Sequence, residues 1–358
     1  MVKWPKIFII IVNWNGWKDT IECLESLLLI KYPNYKIIVI DNGSTDNSLD
    51  YMIEWAKGNI EVKSKFITFV SKKPIKFSLI DWQKFAYISD DSLIVFIKSE
   101  KNLGYSGGNN IGIKYALKNK ADFILILNND TVVNENILTE FLSAYKKFGK
   151  ACYGAKFYYY FHPEKIEFSG IIFDFLRMSF FHSHTDSKKF KEIYYAYGAG
   201  FFLPCSIIEE VGLFDERLLL FEENDLCCRI KRKGYKIILV PKAVIYHKHS
   251  SSFKKSKISA EYFYTRSRFL WAEKNLNIIW RVWLFFVFFC EVLWLYLRFF
   301  LFEILWFFLL FLYEVMKGLN NKKEKFLCFK ENLNYRLLRG KAKIQGFKDY
   351  IEKRFYMP

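Results

Sequence analysis

Two acidic segments contain the residue types that general-base and metal chemistry require. Segment 221–226 (FEENDL) places three carboxylates within four residues. Glu223 could act as a general base there. Asp225 is typical of the first turn of a helix, where an acid is favourable at the positive end of the helix dipole. A solvated acidic turn is the alternative. Asp130 ends segment 128–130 (NND) and could hold Mg²⁺ or Mn²⁺ against a diphosphate, because hard cations prefer oxygen ligands. A helix-capping turn is the alternative there.

A histidine and two polar segments supply further candidates. His247 follows an apolar run and is either a metal ligand or a packed side chain. Segment 41–46 (DNGSTD) could bind a pyrimidine imide and a ribose, or form a tight turn with a helix cap. Segment 102–110 (NLGYSGGNN) is a glycine-rich loop whose N–H groups could approach a phosphate. It matches neither the dinucleotide fingerprint nor the P-loop, so a merely flexible loop is the alternative.

Apolar runs of strand length alternate with helical patterns up to about residue 250. The predicted strands are 7–12, 36–40, 93–98 and 123–127, and the predicted helices are 19–29, 48–56 and 109–118. This alternation predicts an α/β fold with helices on both faces of a sheet. Ligands bind beyond the carboxyl ends of such strands, where segments 13–16, 41–46 and 128–130 also lie. Residues 61–92 do not fit the alternation and are predicted to be an insertion.

The charge of the chain is concentrated towards its C-terminus. The 358 residues carry a formal net charge of +17. Residues 248–281 contain eight Lys and Arg against two acids, and residues 317–354 contain twelve against four. Between them lies an aromatic belt whose halves, 282–297 and 299–313, are each shorter than the roughly 20 residues that span a bilayer.

Basic residues on both sides of the belt argue against a single membrane crossing. Such a crossing would put one basic flank on the outer side of the membrane, whereas basic segments tend to stay on the cytoplasmic side. We expect helices that lie in or dip into the cytoplasmic leaflet, on anionic headgroups. A buried helical subdomain or an oligomer interface is the alternative. Nucleic acid is not an expected partner, because the belt between the two basic flanks is apolar and would not contribute to binding it. The seven cysteines include no C-x-x-C pair, which excludes a zinc ribbon and suits a reducing compartment.

Read in order, these segments resemble family 2 glycosyltransferases of the GT-A fold, especially bacterial rhamnosyltransferase-like members. The matching segments are VNWNG (12–16), DNGSTD (41–46), NLGYSGGNNIGIKYAL (102–117), LNNDT (127–131), the segment from Gly198 to Tyr235, and VPKAVIYHKHSSS (240–252). The resemblance covers about residues 5–275. Each motif is weak alone, but their order and spacing are specific.

The resemblance implies transfer of a sugar, with inversion, from a nucleoside diphosphate donor to an acceptor hydroxyl, with Mg²⁺ or Mn²⁺ as cofactor. By position it assigns nucleotide-sugar binding to Asn13, Asp41, Asn42, Asn109 and Asn129. It assigns metal binding to Asp130, and to His247 a second metal contact or a contact to the diphosphate. The general base falls at Glu223, where the family usually has Asp, and Asp225 is the alternative base.

The sequence departs from the family pattern in two ways. Asn128 and Asn129 replace the start of the D-x-D motif, which leaves one carboxylate for the metal. Glu223 is one methylene longer than Asp, which could shift the base by about 1 Å. A non-catalytic nucleotide-sugar-binding or scaffold protein is therefore an alternative. A processive polysaccharide synthase is another, although the sequence has no Q-x-x-R-W motif. A sugar nucleotidyltransferase would need a glycine-rich loop that residues 7–20 lack.

The predicted organisation begins with a GT-A domain at 1–250, whose nucleotide-binding half ends near 131 and whose acceptor and catalytic half is 132–250. A basic-aromatic connector (251–281), hydrophobic interfacial or membrane helices (282–316) and a basic tail (317–358) follow. The expected partners are a nucleotide-sugar donor, a glycan or lipid-linked acceptor and an anionic membrane surface. These features predict an enzyme of cell-envelope polysaccharide synthesis at the cytoplasmic face of the membrane.

Overall fold

The structure, a computed structural model, describes residues 4–67, 72–84, 91–248, 257–315 and 323–354. They form two compact units: residues 4–174 with 179–248, and residues 175–178 with 257–354. Parts of the predicted segments lie outside the described residues. These parts are 68–71 and 85–90 of the insertion, 251–256 of the connector, and residues 316–322 and 355–358.

The first unit is built on a mixed β-sheet. Its strands, in chain order, are β1 (Ile7–Asn13), β2 (Tyr35–Asn42), β3 (Phe77–Asp81), β4 (Ile94–Ser99), β5 (Phe123–Asn128), β6 (Thr131–Val133), β7 (Ala151–Tyr159), β8 (Ile166–Phe168), β9 (Ile171–Asp174), β10 (Ser179–His182), β11 (Lys191–Glu192), β12 (Gly200–Pro204) and β13 (Lys236–His247). The strand order is β11-β13-β7-β12-β5-β1-β2-β4-β3, with β6 on β13 and β8 on β7. Strands β9 and β10 form a separate hairpin.

Helices lie around this sheet and also form most of the second unit. Those of the first unit are α1 (Trp17–Leu28), α2 (Ser48–Lys57), α3 (Gly104–Lys118), α4 (Ile137–Phe148), α5 (Cys205–Val211) and α6 (Glu222–Arg232). A short 3-10 turn occupies Trp82–Lys84. The second unit contains α7 (Lys257–Asn275), α8 (Ile278–Val315) and α9 (Lys323–Ile351).

The central strands are parallel and completely apolar in their middles. Strand β1 pairs in parallel with both β2 and β5, and β2 pairs in parallel with β4. Residues 7–11 and 37–40 have no solvent exposure, as expected where both faces of a parallel sheet are covered. Strand β12 is antiparallel to β5 and β7, which makes the sheet mixed. The predicted α/β class is confirmed.

The glycine-rich segment is a helix and not the loop that the sequence predicts. Helix α3 begins at Gly104, five residues before the predicted start at 109. A Cβ on Gly108 would lie 2.7 Å from Val12 Cγ1, and one on Gly112 would lie 2.4 Å from Ile10 Cγ2. The glycines therefore let α3 pack directly against the sheet, and this packing overrides their low helix propensity. Residues 77–81 of the predicted insertion form β3, an edge strand.

The aromatic belt forms one continuous helix in the second unit. Helix α8 has 38 residues and is therefore about 57 Å long. It continues through Arg298, where the sequence divides the belt into halves. Phe269 of α7 contacts Phe288 of α8 and Phe347 of α9. In the part of the chain that the structure describes, one stretch, Ile278–Arg298, has the length and apolar composition to cross a membrane.

Candidate active site

The carboxyl ends of β1 and β2 bring Asn13 and Asp41 together, as the sequence predicts. The two residues are register partners, and Asn13 Nδ2 donates to Asp41 Oδ1 at 3.0 Å. Ser44 Oγ donates to the same oxygen at 2.6 Å. Both Asn13 and Asp41 are buried. The amide and the carboxylate thus form one fixed polar group at the edge of the sheet.

Asn129 joins this polar group through a residue that the sequence did not single out. Thr20 Oγ1 donates to Asn13 Oδ1 at 2.8 Å and accepts from Asn129 Nδ2 at 3.0 Å. A Cβ on Gly16 would lie 2.8 Å from Asn129 Nδ2. Thr20 lies in the first turn of α1, and the local sequence indicates only that it belongs to a helix. Its role depends on a contact across 109 residues of chain.

Asn42 holds the start of α3. Its Nδ2 donates to Asn102 Oδ1 at 3.0 Å and to the Gly104 carbonyl at 3.1 Å, and its Oδ1 accepts from Leu103 N at 3.0 Å. Three hydrogen bonds therefore commit the Asn42 amide to segment 102–104. Asn42 thus lies beside Asp41 in sequence but anchors a neighbouring element.

Asn109 and its neighbour Asn110 are both buried on α3. Asn109 Nδ2 donates to the Tyr105 carbonyl at 2.9 Å within the helix. Asn110 accepts from Phe214 N and donates to its carbonyl, each at 3.0 Å. The sequence reasoning missed Asn110, which ties α3 to the segment before α6.

Asp130 and His247, which the resemblance assigns to a metal site, lie close together. Asp130 Oδ1 lies 3.2 Å from His247 Nε2. On the other side of the ring, His247 Nδ1 lies 2.9 Å and 3.0 Å from the two oxygens of Glu167. Burial lowers the pKa of His247, but hydrogen bonds to these two carboxylates outweigh burial and raise it to about 9.

The spacing of Asp130 and His247 fits a divalent cation. Two ligands at right angles, each about 2.1 Å from a cation, are about 3 Å apart. The oxygen and the nitrogen could therefore occupy neighbouring coordination positions with little movement. Among the described residues, no group of three or more His, Cys, Asp and Glu side chains could hold a metal ion by itself.

Glu223 is the second residue of α6, which follows a strained turn. Leu220 and Phe221 both have left-handed backbone, with φ of 77° and 70°. Each left-handed non-glycine residue costs of order 1 kcal/mol, and such residues concentrate at functional sites. Burial raises the pKa of Glu223 to about 7, although a hydrogen bond from the Gly198 backbone opposes this shift. Burial and the nearby charge of Glu223 raise the pKa of Glu222 to about 8.

Two tyrosines that the sequence reasoning missed connect these groups. Tyr105 Oη donates to the Gly198 carbonyl at 2.6 Å. Tyr197 Oη donates to Glu167 Oε1 at 3.0 Å. Burial raises the pKa of Tyr197, and the charges of Glu167, Glu223 and Asp130 raise it further. The charges of the candidate base and of Asp130 therefore both act on the Tyr197 hydroxyl.

Asp225 has a different environment from Glu223. Its side chain has no solvent exposure, and Oδ2 lies 2.9 Å from Arg229 Nε. Arg229 also donates to the carbonyls of Gly212 and Leu213, at 3.1 Å and 2.8 Å. Asp225 therefore orients Arg229, which caps the C-terminal end of α5.

Two family models match the chain. Residues 123–318, more than half of the chain, match the model described as glycosyl transferase family group 2. Residues 8–72 match the model described as glycosyl transferase family 2.

Curated relatives and a solved structure show further similarity. The glycosyltransferase GlyG of Streptococcus pneumoniae is 26% identical over 132 residues, which are 37% of this chain and 32% of GlyG. The low-salt glycan biosynthesis hexosyltransferase Agl10 of Haloferax volcanii is 25% identical over 156 residues, which are 40% of this chain and 48% of Agl10. The chain thus spans less than half of either relative. The mannosyltransferase PcManGT of Pyrobaculum calidifontis, solved with GDP-Man and Mn²⁺, has a TM-score of 0.53 and 12% identity, covering 99% of this chain and 89% of that one.

Proposed function

The chain belongs to glycosyl transferase family 2, and we propose from this premise that it transfers a sugar from a nucleoside diphosphate to an acceptor hydroxyl with inversion. The observation that carries the proposal is the spacing of 3.2 Å between Asp130 Oδ1 and His247 Nε2, which fits a divalent cation that would bind the donor diphosphate.

In this mechanism Glu223 is the general base. It takes the proton of the acceptor hydroxyl while the oxygen attacks the anomeric carbon, and the bond to the diphosphate breaks on the opposite side. The base must be ionised and still basic near neutral pH. Burial, which raises the pKa of Glu223 to about 7, meets both conditions. Asp225, paired with Arg229, is assigned to positioning α6.

Asp130 and His247 would hold Mg²⁺ or Mn²⁺ together with the donor diphosphate. When bound, such a cation neutralises charge on the leaving diphosphate. The spacing of 3.2 Å between Asp130 Oδ1 and His247 Nε2 supports this assignment. The Mn²⁺ in the structure of PcManGT also supports it.

The fixed pair of Asn13 and Asp41 would bind the nucleoside, with Asp41 accepting from the base or the ribose. Asn129 would extend this group towards the diphosphate, and Asn42 acts by placing the start of α3. Asn109 would act near the donor from within α3, where its side chain bonds to the Tyr105 carbonyl. The rhamnosyltransferase-like motifs favour dTDP-rhamnose as donor, and a UDP- or dTDP-hexose is the alternative. The name of Agl10 favours a hexose.

The acceptor in this proposal is a lipid-linked glycan of the cell envelope, at the cytoplasmic face of the membrane. Glu291 of α8 accepts hydrogen bonds from Arg268 of α7 and Lys343 of α9. That face of α8 therefore packs on α7 and α9. Large apolar side chains are exposed elsewhere on the helix, among them Ile279, Val282, Phe286, Phe289 and Phe300. A helix with one such face suits a position in a single leaflet, beside anionic headgroups.

Release of nucleoside diphosphate from dTDP-, UDP- and GDP-sugars would test the function. The full chain is incubated with Mn²⁺, Mg²⁺ or EDTA and a membrane extract as acceptor source. We expect metal-dependent release from one donor, lost in Glu223→Gln and retained in the exposed control Glu192→Gln. Nucleotide binding without release of nucleoside diphosphate from any donor would contradict the proposed transferase activity and favour the non-catalytic alternative.

A further inference from the structure

We propose that Glu167 is a positioning residue of the metal site, which holds His247 so that Nε2 faces Asp130. The inference rests on the proposed function, because it requires that Asp130 and His247 bind a divalent cation. Nothing in the sequence motifs points to Glu167, which lies 80 residues from His247.

The sheet fixes Glu167 opposite the histidine. Strand β8, which carries Glu167, pairs with β7, and β7 pairs with β13, which ends at His247. Glu167 is only 2% exposed. A carboxylate this deeply buried is costly unless it is hydrogen-bonded. Both of its oxygens lie within 3.0 Å of His247 Nδ1, which satisfies this requirement.

Neighbouring rings restrict both the carboxylate and the imidazole. Tyr197 Oη donates to Glu167 Oε1 at 3.0 Å, and the ring of Tyr197 lies edge-on to His247 with centroids 5.8 Å apart. Phe157 lies edge-on to the same imidazole at 6.2 Å. The imidazole is thus enclosed by rings, and Glu167 decides which nitrogen faces Asp130.

This arrangement is the one that metal-binding histidines use. A carboxylate that accepts the second ring N–H fixes the tautomer and the ring orientation and makes the metal-binding nitrogen a better ligand. With Asp130 Oδ1 already 3.2 Å from Nε2, Glu167 holds the imidazole near the spacing from Asp130 that a shared cation needs. The competing explanation is a buried ion cluster that only stabilises the fold.

Mn²⁺ binding to the full chain, followed by electron paramagnetic resonance with UDP, dTDP or GDP present, would separate the two explanations. Glu167→Gln keeps the shape of the side chain and removes its charge. We expect the Kd for Mn²⁺ to rise about 10- to 100-fold, as for other residues that orient metal ligands. Nucleotide affinity in EDTA should not change. Glu167→Asp, which restores the carboxylate, should recover part of the affinity, and Asp130→Asn should abolish Mn²⁺ binding.

Tyr197→Phe keeps Glu167 and removes one hydrogen bond to it, so it serves as a milder variant if Glu167→Gln folds poorly. We expect a smaller but measurable loss of Mn²⁺ affinity in Tyr197→Phe and none in Glu192→Gln. Wild-type Mn²⁺ affinity in folded Glu167→Gln or in Tyr197→Phe, with binding lost in Asp130→Asn, would overturn the role of Glu167 alone. Failure of the wild type to bind Mn²⁺ with any nucleotide would overturn the proposed metal site as well.

Discussion

Gly198 lies so close to Glu223 that a Cβ on Gly198 would come within 3.2 Å of the carboxyl carbon of Glu223. The carbonyl of Gly198 accepts a hydrogen bond from Tyr105 Oη at 2.6 Å, which fixes this peptide from the side of α3. Gly198 also precedes Ala199, whose carbonyl accepts from Asn128 N at the end of β5. The backbone beside β5 therefore sets the position of the candidate base.

Gly198→Ala should lower kcat by about 10- to 100-fold, because a shift of the base by less than 1 Å is enough for such a loss. The carboxylate itself and the nucleotide-binding residues are unchanged, so nucleotide affinity should stay the same. Steady-state kinetics and a binding titration check both expectations. Gly340→Ala is the matched control, since a Cβ there meets no atom within 4 Å. Wild-type kcat in Gly198→Ala would argue against Glu223 as the base.

The rate of transfer should rise with pH through about 7. Burial raises the pKa of Glu223 to about 7, and only the ionised carboxylate can accept the acceptor proton. We therefore expect kcat to follow the ionised fraction between pH 5.5 and 8.5. Nucleotide affinity in EDTA over the same range is the control, since it does not use the base. A kcat that does not depend on pH in this range would contradict the assignment.

Stability should fall as pH rises, with Glu222 as one cause. Burial and the charge of Glu223 raise the pKa of Glu222 from 4.5 to about 8. The folded chain thus binds this proton more tightly than the unfolded chain does. The stability that protonated Glu222 contributes is therefore complete below pH 4.5 and is lost as pH rises through 8.

Glu222→Gln removes this ionisation, so the variant should gain stability relative to wild type on going from pH 5 to pH 9, by a few kcal/mol at about 1.4 kcal/mol per unit of pKa shift. Urea denaturation at both pH values measures the change. Glu164→Gln, at a side chain that is 63% exposed, should keep the wild-type dependence. An equal pH dependence in Glu222→Gln and wild type would contradict the raised pKa.

The sequence predicts the central strands and places Asn13 and Asp41 at the carboxyl ends of two of them, because both follow from local pattern. Long apolar runs indicate strands that are covered on both faces, and parallel strands bring their carboxyl ends to one edge. The helical start of α3 could not be predicted, because Gly108 is helical through packing on Val12 of the sheet, a contact that local sequence does not indicate. Here tertiary packing outweighs the low intrinsic helix propensity of glycine.

The supporting residues of the site were missed for a related reason. Glu167 stands between Ile166 and Phe168, where the pattern indicates only a strand with one polar residue. Its partner His247 is 80 residues away, and the pairing depends on β7 lying between their two strands. Sequence spacing indicates which side chains follow strands, whereas contacts of this kind depend on the order of the strands.

Charged residues on the exposed face of α8 should weaken membrane binding. Phe286 and Phe289 are 55% and 63% exposed. Phe286→Glu with Phe289→Glu should therefore reduce sedimentation with phosphatidylglycerol vesicles about tenfold or more, because two apolar contacts are lost and two negative charges face anionic lipid. Leu79→Glu, at a residue that is 53% exposed on β3, should bind like wild type. Unchanged vesicle binding combined with loss of a dimer in light scattering would identify self-association instead.

Asp225→Asn should destabilise the fold without abolishing transfer, and this outcome would distinguish the two candidate bases. Asp225 has no solvent exposure and pairs with Arg229, which is 19% exposed. Removing one partner of such a pair leaves a charge poorly compensated and costs about 3 kcal/mol. Asp215→Asn is the matched control, because Arg217, the partner of Asp215, is 53% exposed and such pairs contribute at most about 1 kcal/mol. Urea denaturation measures the loss of stability, and kcat is measured at a temperature where both variants are folded. A folded Asp225→Asn whose kcat falls as far as that of Glu223→Gln would instead assign proton transfer to Asp225, since the Asn side chain keeps the shape of the site and removes only the basic group.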